Sequence, residues 1–307
     1  MYIMRKIYSF LICAAAAAVM VGCAEQKPQP KEELSFTQLM EQSTPEQIKA
    51  WYDGASCLSE EYTKAHAAEL REQKKLLVFD LDGTLSNHRS PMPEANRALL
   101  DALGKKYHIV MCGAGNAPRI FKQMEQYPIN IIGNYGMQHA TVVDGELKFT
   151  KETSYEVDKA FFQEKTDYLR QKYGYTEYDG DPIEYHQSGM VTFGLLGTKA
   201  AKEKKHVFDP DRAKRRVMYP EVLEIFKDYT VFIGGSSSFD IVAKQYNKYD
   251  ATLEYAHLHG YTKDQIIFFG DDMGDGGGDS HVRLGGMDYI HVLDYTRIPE
   301  MAAFLLE

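Results

Sequence analysis

Apolar and polar positions follow two regimes along most of the chain. In the first, short apolar runs alternate with amphipathic stretches. Leu76-Leu77-Val78-Phe79, His108 to Cys112 and Ile129 to Ile132 are runs of strand length with few polar interruptions, the pattern of strands buried on both faces. Pro93 to Leu103 has helical spacing, and Asn116-Ala117-Pro118 supplies a cap and a first-turn proline for another helix. Thr141 to Phe149, around Asp144-Gly145, predicts a hairpin. The order βαβαβ predicts a doubly wound parallel sheet. In the second regime, from Lys151 to Ala243, helices (Tyr155 to Tyr173, Asp209 to Phe226) alternate with short strands near Glu184, Val191 and Val231. The first pattern then returns, with a helix from Lys248 to Leu258, strands at Gln265 to Phe269 and Tyr289 to Leu293, and a final helix. The expected division is a core domain made of two separate stretches, 74–150 and 244–307, with an inserted α+β cap over 151–243 between them. A domain interrupted in this way suggests a cap that closes over a site.

The first 73 residues fit neither regime. Arg5-Lys6 precedes an apolar stretch from Ile7 to Val21, which is shorter than the roughly 20 residues of a membrane-spanning helix. Residues 1–22 therefore read as a secretion signal. Met20-Val21-Gly22-Cys23 resembles a bacterial lipoprotein cleavage box, which implies lipidation at Cys23 and an exported, membrane-anchored protein facing the periplasm or the cell exterior. Residues 23–33 read as a solvated tether. Residues 34–73 read as a helical extension with one helix capped by Thr44-Pro45-Glu46-Gln47 and a second from Ser59 to Gln73.

Charge and cysteine usage narrow the partners. The formal charge is −9, and removing residues 1–22, which hold two cations and no acid, takes it to −11. Nucleic acid is not an expected partner, since a polyanion needs a basic surface. Lys202 to His206 and Arg212 to Arg216 are short clusters that read as solvated helix faces. Of four cysteines only Cys57 and Cys112 remain beyond the tether, and they imply neither a disulfide framework nor a zinc site.

The chemistry concentrates where strands end. Asp80-Leu81-Asp82-Gly83-Thr84-Leu85 follows the first strand without a break, so Asp80 points into the crevice at the strand's carboxyl end. Alternation brings Asp82 to the same side, and Gly83 lets the chain turn. Two such carboxylates suit phosphoryl transfer through an aspartyl-phosphate, one attacking phosphorus and the other moving a proton. Their mutual repulsion calls for a hard divalent ion such as Mg²⁺. Strand Gln265 to Phe269 runs into Gly270-Asp271-Asp272-Met273-Gly274-Asp275-Gly276-Gly277-Gly278-Asp279. Asp271 is the best-placed metal ligand there, followed by Asp279, Asp275 and Asp272. An EF-hand would need a final glutamate and flanking helices, which the spacing lacks. Lys248, at a helix start, is the candidate for binding both phosphate and the nucleophile's charge, with Lys244 its competitor.

The string Asp80 to Leu85 resembles the first motif of the haloacid dehalogenase superfamily, and the insert resembles that of the subclass with the larger α+β cap. The chain is further similar to eukaryotic-type phosphomannomutases. The similarity lies in Phe268-Phe269-Gly270-Asp271 to Gly276-Gly277-Gly278-Asp279, Gly113-Ala114-Gly115-Asn116, Asn134-Tyr135-Gly136, Ser188-Gly189-Met190 and Gly234-Gly235 to Phe239-Asp240. This resemblance spans residues 75–307 and implies an α/β fold, a doubly wound Rossmann-like core with an inserted α+β cap. It implies that Asp80 is the nucleophile and Asp82 the general acid/base with a metal-binding carbonyl. Asp271 is then a metal ligand, with Asp279 beside it, and Lys248 the phosphate-binding lysine.

Departures from the family pattern shape the functional expectation. The second motif lacks its Ser/Thr hydroxyl, because Cys112 or Gly115 stands there, which leaves the backbone from Gly113 and the side chain of Asn116 to hold phosphate. In the cap, the arginines that grip a sugar's distal phosphate fall near Gln187 and Thr198, neither of them cationic; these and Met190 are the expected substrate contacts. A neutral amide cannot replace an arginine fork on phosphate. A mutase must hold either end of a bisphosphate, whereas a phosphatase need not. The expectation is a Mg²⁺-dependent phosphatase of small phosphate monoesters, phosphosugars foremost. A phosphomannomutase-like mutase and a non-catalytic ligand-binding lipoprotein are the alternatives.

Overall fold

The computed structural model describes residues 33–307, which form one compact unit. The signal, most of the tether and Cys23 lie outside the described residues. No helix among the described residues is long and apolar enough to cross a membrane. In chain order the strands are β1 (Leu76–Phe79), β2 (His108–Cys112), β3 (Asn130–Gly133), β4 (Gln138–Val143), β5 (Glu146–Glu152), β6 (Ile183–Tyr185), β7 (Val191–Gly194), β8 (Tyr229–Phe232), β9 (Ser238–Ala243), β10 (Ile266–Gly270) and β11 (Tyr289–His291).

Seven strands form one sheet in the order β11-β10-β1-β2-β3-β4-β5. The pairs from β11 to β3 are parallel, and β4 and β5 add an antiparallel edge hairpin turned by Asp144 and Gly145, both at positive φ. All four side chains of β1 are buried, as the central place of a sheet covered on both faces requires. Phe79 lies level with Phe269 on one side and Met111 on the other, and the rings of Phe79 and Phe269 stack at 4.6 Å. That register brings the exits of β1, β2 and β10 to one edge of the sheet.

The stretch between β5 and β10 contributes a second, antiparallel sheet in the order β6-β7-β9-β8. Val191, Phe193, Phe239 and Ile241 face the helices Lys159–Tyr173 and Ala213–Ile225, packing on Phe162, Leu169, Met218 and Val222. By alternation Met190 and Thr192, and Ser238, Asp240 and Val242, take the opposite face. That face meets the first sheet through Tyr135, Met137 and Tyr246. The sequence pattern sets this region's helices too early. The first starts at Lys159 because Asp158 caps it, and the second starts at Ala213 after a separate helix, Lys202–Phe208. Strand β9 is not marked by the pattern, since its apolar run reads equally as helix.

In the extension, Pro45–Tyr52 carries the expected capping box between Thr44 and Gln47. A further helix, Phe36–Gln42, precedes it, and Ser59 to Gln73 is two helices broken at His66 rather than one. Residues 56–58 lie alongside β11, with the Tyr289 amide donating to the Ser56 carbonyl and the Leu58 amide to that of Tyr289. Trp51 fills the space where Gly286 has no side chain. Cys57 and Cys112 are both free, Cys112 buried in β2.

Candidate active site

Asp80 is the first residue beyond β1 and is 6% exposed. Lys248, 2% exposed at the first position of helix Lys248–Leu258, donates from Nζ to Asp80 Oδ1 at 2.6 Å and to Asp279 Oδ1 at 2.7 Å. Burial pushes the Asp80 carboxyl up to about 7, with Asp279 and Asp82 adding to the rise and Lys248 opposing it. Burial alone would lower the Lys248 ammonium, but Asp279 and Asp80 outweigh it and hold that group well above its ordinary value. Lys244, the competitor, bonds instead to the carbonyls of Lys227 and Tyr229.

Asp80, Asp271 and Asp279 each offer an oxygen within 4.8 Å of the others. Burial, then Asp80, Asp279 and Asp272, push Asp271 up to about 9. Asp272 and Asp275 are held by other partners, although Asp272 also lines the cavity. Asp272 accepts from the Gly278 amide and pairs with Arg212, while Asp275 turns outward to Tyr52 and Arg283. Gly83, at φ +98, lies so close to Asp271 that a Cβ would overlap the carboxylate. The carboxyls of Asp80, Asp271 and Asp279 crowd around the single Lys248 ammonium, and their mutual repulsion is part of what raises Asp80 and Asp271. A divalent cation would relieve it, and an all-oxygen donor set suits Mg²⁺.

The Asp82 side chain does not join that trio. Arg119 at 3.1 Å, Gln123 at 2.7 Å and the Arg89 amide at 2.7 Å hold its carboxylate on the other side of the loop. Burial would raise its pKa, but these partners outweigh burial and keep it below the usual carboxylate range. Only the Asp82 main-chain carbonyl is left for a metal. Gly113 is a second correction, because its N–H is spent on the Ile132 carbonyl at 2.9 Å. The neighbouring amides of Ala114, Gly115 and Asn116, and those of Leu81 and Asp82, donate to no acceptor in the described protein. Asn116 caps helix Ala117–Gln123 with Oδ1, accepting from the Arg119 amide at 2.8 Å, and lines the same cavity. Cys112 is fully buried and outside the cavity lining, and burial pushes its thiol up to about 12.

Asp80, Asp82, Asn116, Arg119, Lys248 and Asp271 line a cavity of about 220 Å³, with the second sheet as its far wall. Met190 lines it as expected. Gln187 and Thr198 do not: Gln187 is exposed at the turn between β6 and β7, and Thr198 bonds to the Asp181 amide beyond the end of β7. The cavity-facing positions are instead Glu184, His186, Thr192, Ser238 and Asp240. Asp240 accepts from Thr192 Oγ1 at 3.0 Å and Tyr135 Oη at 3.2 Å, and burial raises its carboxyl despite these bonds. Asn134, Tyr135 and Gly136 all have positive φ, and Asn134 reaches Ser188 at 2.9 Å. The cluster Arg212 to Arg216 is not uniformly solvated. Arg215 is 1% exposed, bound to Asp209 and to three carbonyls of residues 234–238, and Arg212 enters the cavity.

Comparison with known proteins adds to this geometry. A family profile described as haloacid dehalogenase-like hydrolase matches residues 77–276. The chain is 28% identical over 225 residues to a phosphomannomutase of Encephalitozoon cuniculi, covering 69% of this chain and 85% of that one. In structure it is similar to an IMP-bound IMP-nucleotidase of Plasmodium falciparum (TM-score 0.57, 15% identity, 80% of this chain and 71% of that one). It is also similar to the C-terminal domain of C. albicans trehalose-6-phosphate phosphatase (TM-score 0.52, 16% identity, 79% and 96%). At these identities the two structural likenesses speak for the fold.

Proposed function

The chain belongs to the haloacid dehalogenase-like hydrolases, and from that footing we propose that it is a Mg²⁺-dependent phosphatase of small phosphate monoesters, phosphosugars foremost. The carrying observation is Asp80, buried at a strand end between Lys248 and the Asp271–Asp279 pair. An Asp80 oxygen attacks phosphorus and the ester P–O bond breaks, leaving an aspartyl-phosphate. A proton from Asp82 completes the leaving alcohol. Water then attacks phosphorus, Asp82 takes its proton, and the Asp80–phosphorus bond breaks to release phosphate. Arg119 and Gln123 favour the ionised Asp82 of the second half, so the acid role in the first half requires the Arg119 contact to loosen. The free amides at 81–82 and 114–116 orient the phosphoryl oxygens, and Lys248 neutralises charge on them. Asp80, Asp271, Asp279 and the Asp82 carbonyl would hold Mg²⁺, which supplies charge neutralisation to the phosphoryl group.

The second sheet supports a monoester over a bisphosphate. On the cavity face of that sheet Glu184, Thr192 and Asp240 can exchange hydrogen bonds with sugar hydroxyls, and its strands bring no Lys or Arg into the cavity to grip a second phosphate. The mutase reading draws on the phosphomannomutase relatives. We further propose that the protein is exported and anchored through Cys23. Purified protein starting after Cys23, incubated with Mg²⁺ and a panel of phosphate esters, should release phosphate, and Asp80→Asn should not. Interchange of mannose 6-phosphate and 1-phosphate without release would favour the mutase.

A further inference from the structure

Arg212 belongs to the second layer yet enters the acidic loop of the first. It stands immediately before helix Ala213–Ile225 at φ +61, a left-handed backbone that costs a non-glycine residue free energy and concentrates at functional positions. One nitrogen donates to Asp272. A guanidinium has five N–H donors in a planar fork, and no other acceptor in the described protein takes the rest. The side chain is mostly buried and lines the cavity of Asp80 and Lys248. It also lines an adjoining cavity of about 250 Å³, together with His88, His206 and Ser236. Of the other cations at the cavity, Arg119 is paired with Asp82, and Arg89, whose guanidinium has no acceptor in the described protein, is exposed where Arg212 is mostly buried. Lys248 bridges Asp80 and Asp279, and Arg215 is bound to Asp209 and carbonyls. The loop at 113–116 offers a phosphoryl group backbone amides and the Asn116 carboxamide, with no side-chain cation of its own.

We propose that Arg212 is a catalytic residue carried in by the second layer, keeping Asp272 on one nitrogen and donating another N–H to a non-bridging oxygen of the phosphoryl group transferred to Asp80. It then stabilises charge on that oxygen as the group passes between donor and acceptor. This rests on the phosphatase reading of Asp80.

The test compares wild type, Arg212→Ala and Arg212→Lys, with Mg²⁺, on p-nitrophenyl phosphate, together with binding of orthovanadate as a mimic of the transferring group. Arg212→Ala should lower kcat/KM and weaken vanadate binding roughly 10–100-fold, the scale of a charge-assisted hydrogen bond. Arg212→Lys should recover only part of the loss, and free guanidinium should restore part of the alanine variant's rate. A residue that only latches the layers through Asp272 gives the opposite pattern: lysine restores the rate, guanidinium does not, and vanadate binds all three alike. That result overturns the proposal. If the alanine variant fails to fold, Arg212→Lys with the vanadate measurement decides. If wild type hydrolyses no ester, the phosphatase reading falls, and vanadate binding still judges Arg212. Binding by wild type that weakens in Arg212→Lys supports it, and equal or absent binding overturns it.

Discussion

Replacing Lys248 by Met removes a charge and keeps most of the volume, so its effect isolates the ammonium's electrostatic role. Two buried contacts disappear, 2.6 Å to Asp80 and 2.7 Å to Asp279, and both carboxylates keep their burial. Breaking a buried pair by removing one partner costs about 3–5 kcal/mol, because the remaining charge has no compensation. That is a large share of the roughly 5–15 kcal/mol of a typical native state. With a urea slope of about 3 kcal/mol/M, the unfolding midpoint in EDTA should fall by roughly 1–1.7 M. The chemistry should suffer as well. Lys248 opposes the burial that pushes Asp80 up to about 7, so without it the carboxyl rises further and less of the nucleophile is ionised at neutral pH. Circular dichroism against urea gives the midpoint, and phosphate release at pH 7 gives the activity. Added Mg²⁺ should stabilise the variant, by about 2.7 kcal/mol at 100 times its Kd. A Lys248→Met protein with the wild-type midpoint in EDTA and wild-type turnover would refute the placement of this ammonium as the charge partner of Asp80.

Gly83→Ala should cost about 1–3 kcal/mol through its positive φ and, by displacing Asp271, weaken Mg²⁺ binding in a calorimetric titration; unaltered Mg²⁺ affinity would count against Asp271 as a ligand. Burial holds His139 down at about 4 and lowers His108 as well. Both charge at about 6.5 when unfolded and only at lower pH when folded, so their contribution is complete above pH 6.5 and fades as pH falls below it, for His139 down to about 4. For His139 the loss between pH 7 and 5 is about 2 kcal/mol. Asp80 and Asp271, raised above their ordinary values, act in the opposite sense, so the measure is the Tm of His139→Gln minus that of wild type, which should rise by several degrees from pH 7 to 5; a constant difference would contradict it. Gln187→Ala and Thr198→Ala should leave KM within about twofold for every ester turned over, since neither lines the cavity; a tenfold rise in either would restore them as substrate contacts.

What is legible in the sequence is legible for local reasons. An apolar run that breaks into Asp80 or Asp271 marks a strand's carboxyl end, and the parallel register does the rest. The failures are those of orientation between layers. His186 faces the cavity and its neighbour Gln187 does not, a distinction of one residue set by which face of the second sheet meets Tyr135 and Met137. Arg212 and Arg215 sit among exposed basic residues, and nothing in that cluster announces which of them is buried. The partner of Arg212 lies 60 residues away, at Asp272. Alternation aims the Asp82 carboxylate at the metal, but Arg119 and Gln123, on a helix 37 and 41 positions on, hold it back.

The strand order also sets a timetable for assembly. Strand β1 is flanked by β2, nearby in sequence, and by β10, whose Ile266 pairs with Leu76 across 190 residues. Pairing over such separations is slow, because the chain between must be closed into a loop first. At roughly 5–20 residues per second, synthesis needs about 10–40 s to deliver β10 once β1 has emerged. During that interval one edge of an apolar strand is unpaired and open to association with other chains. Asp80 is made early and waits for Asp271, so no nascent or truncated chain ending before residue 271 carries a phosphoryl site.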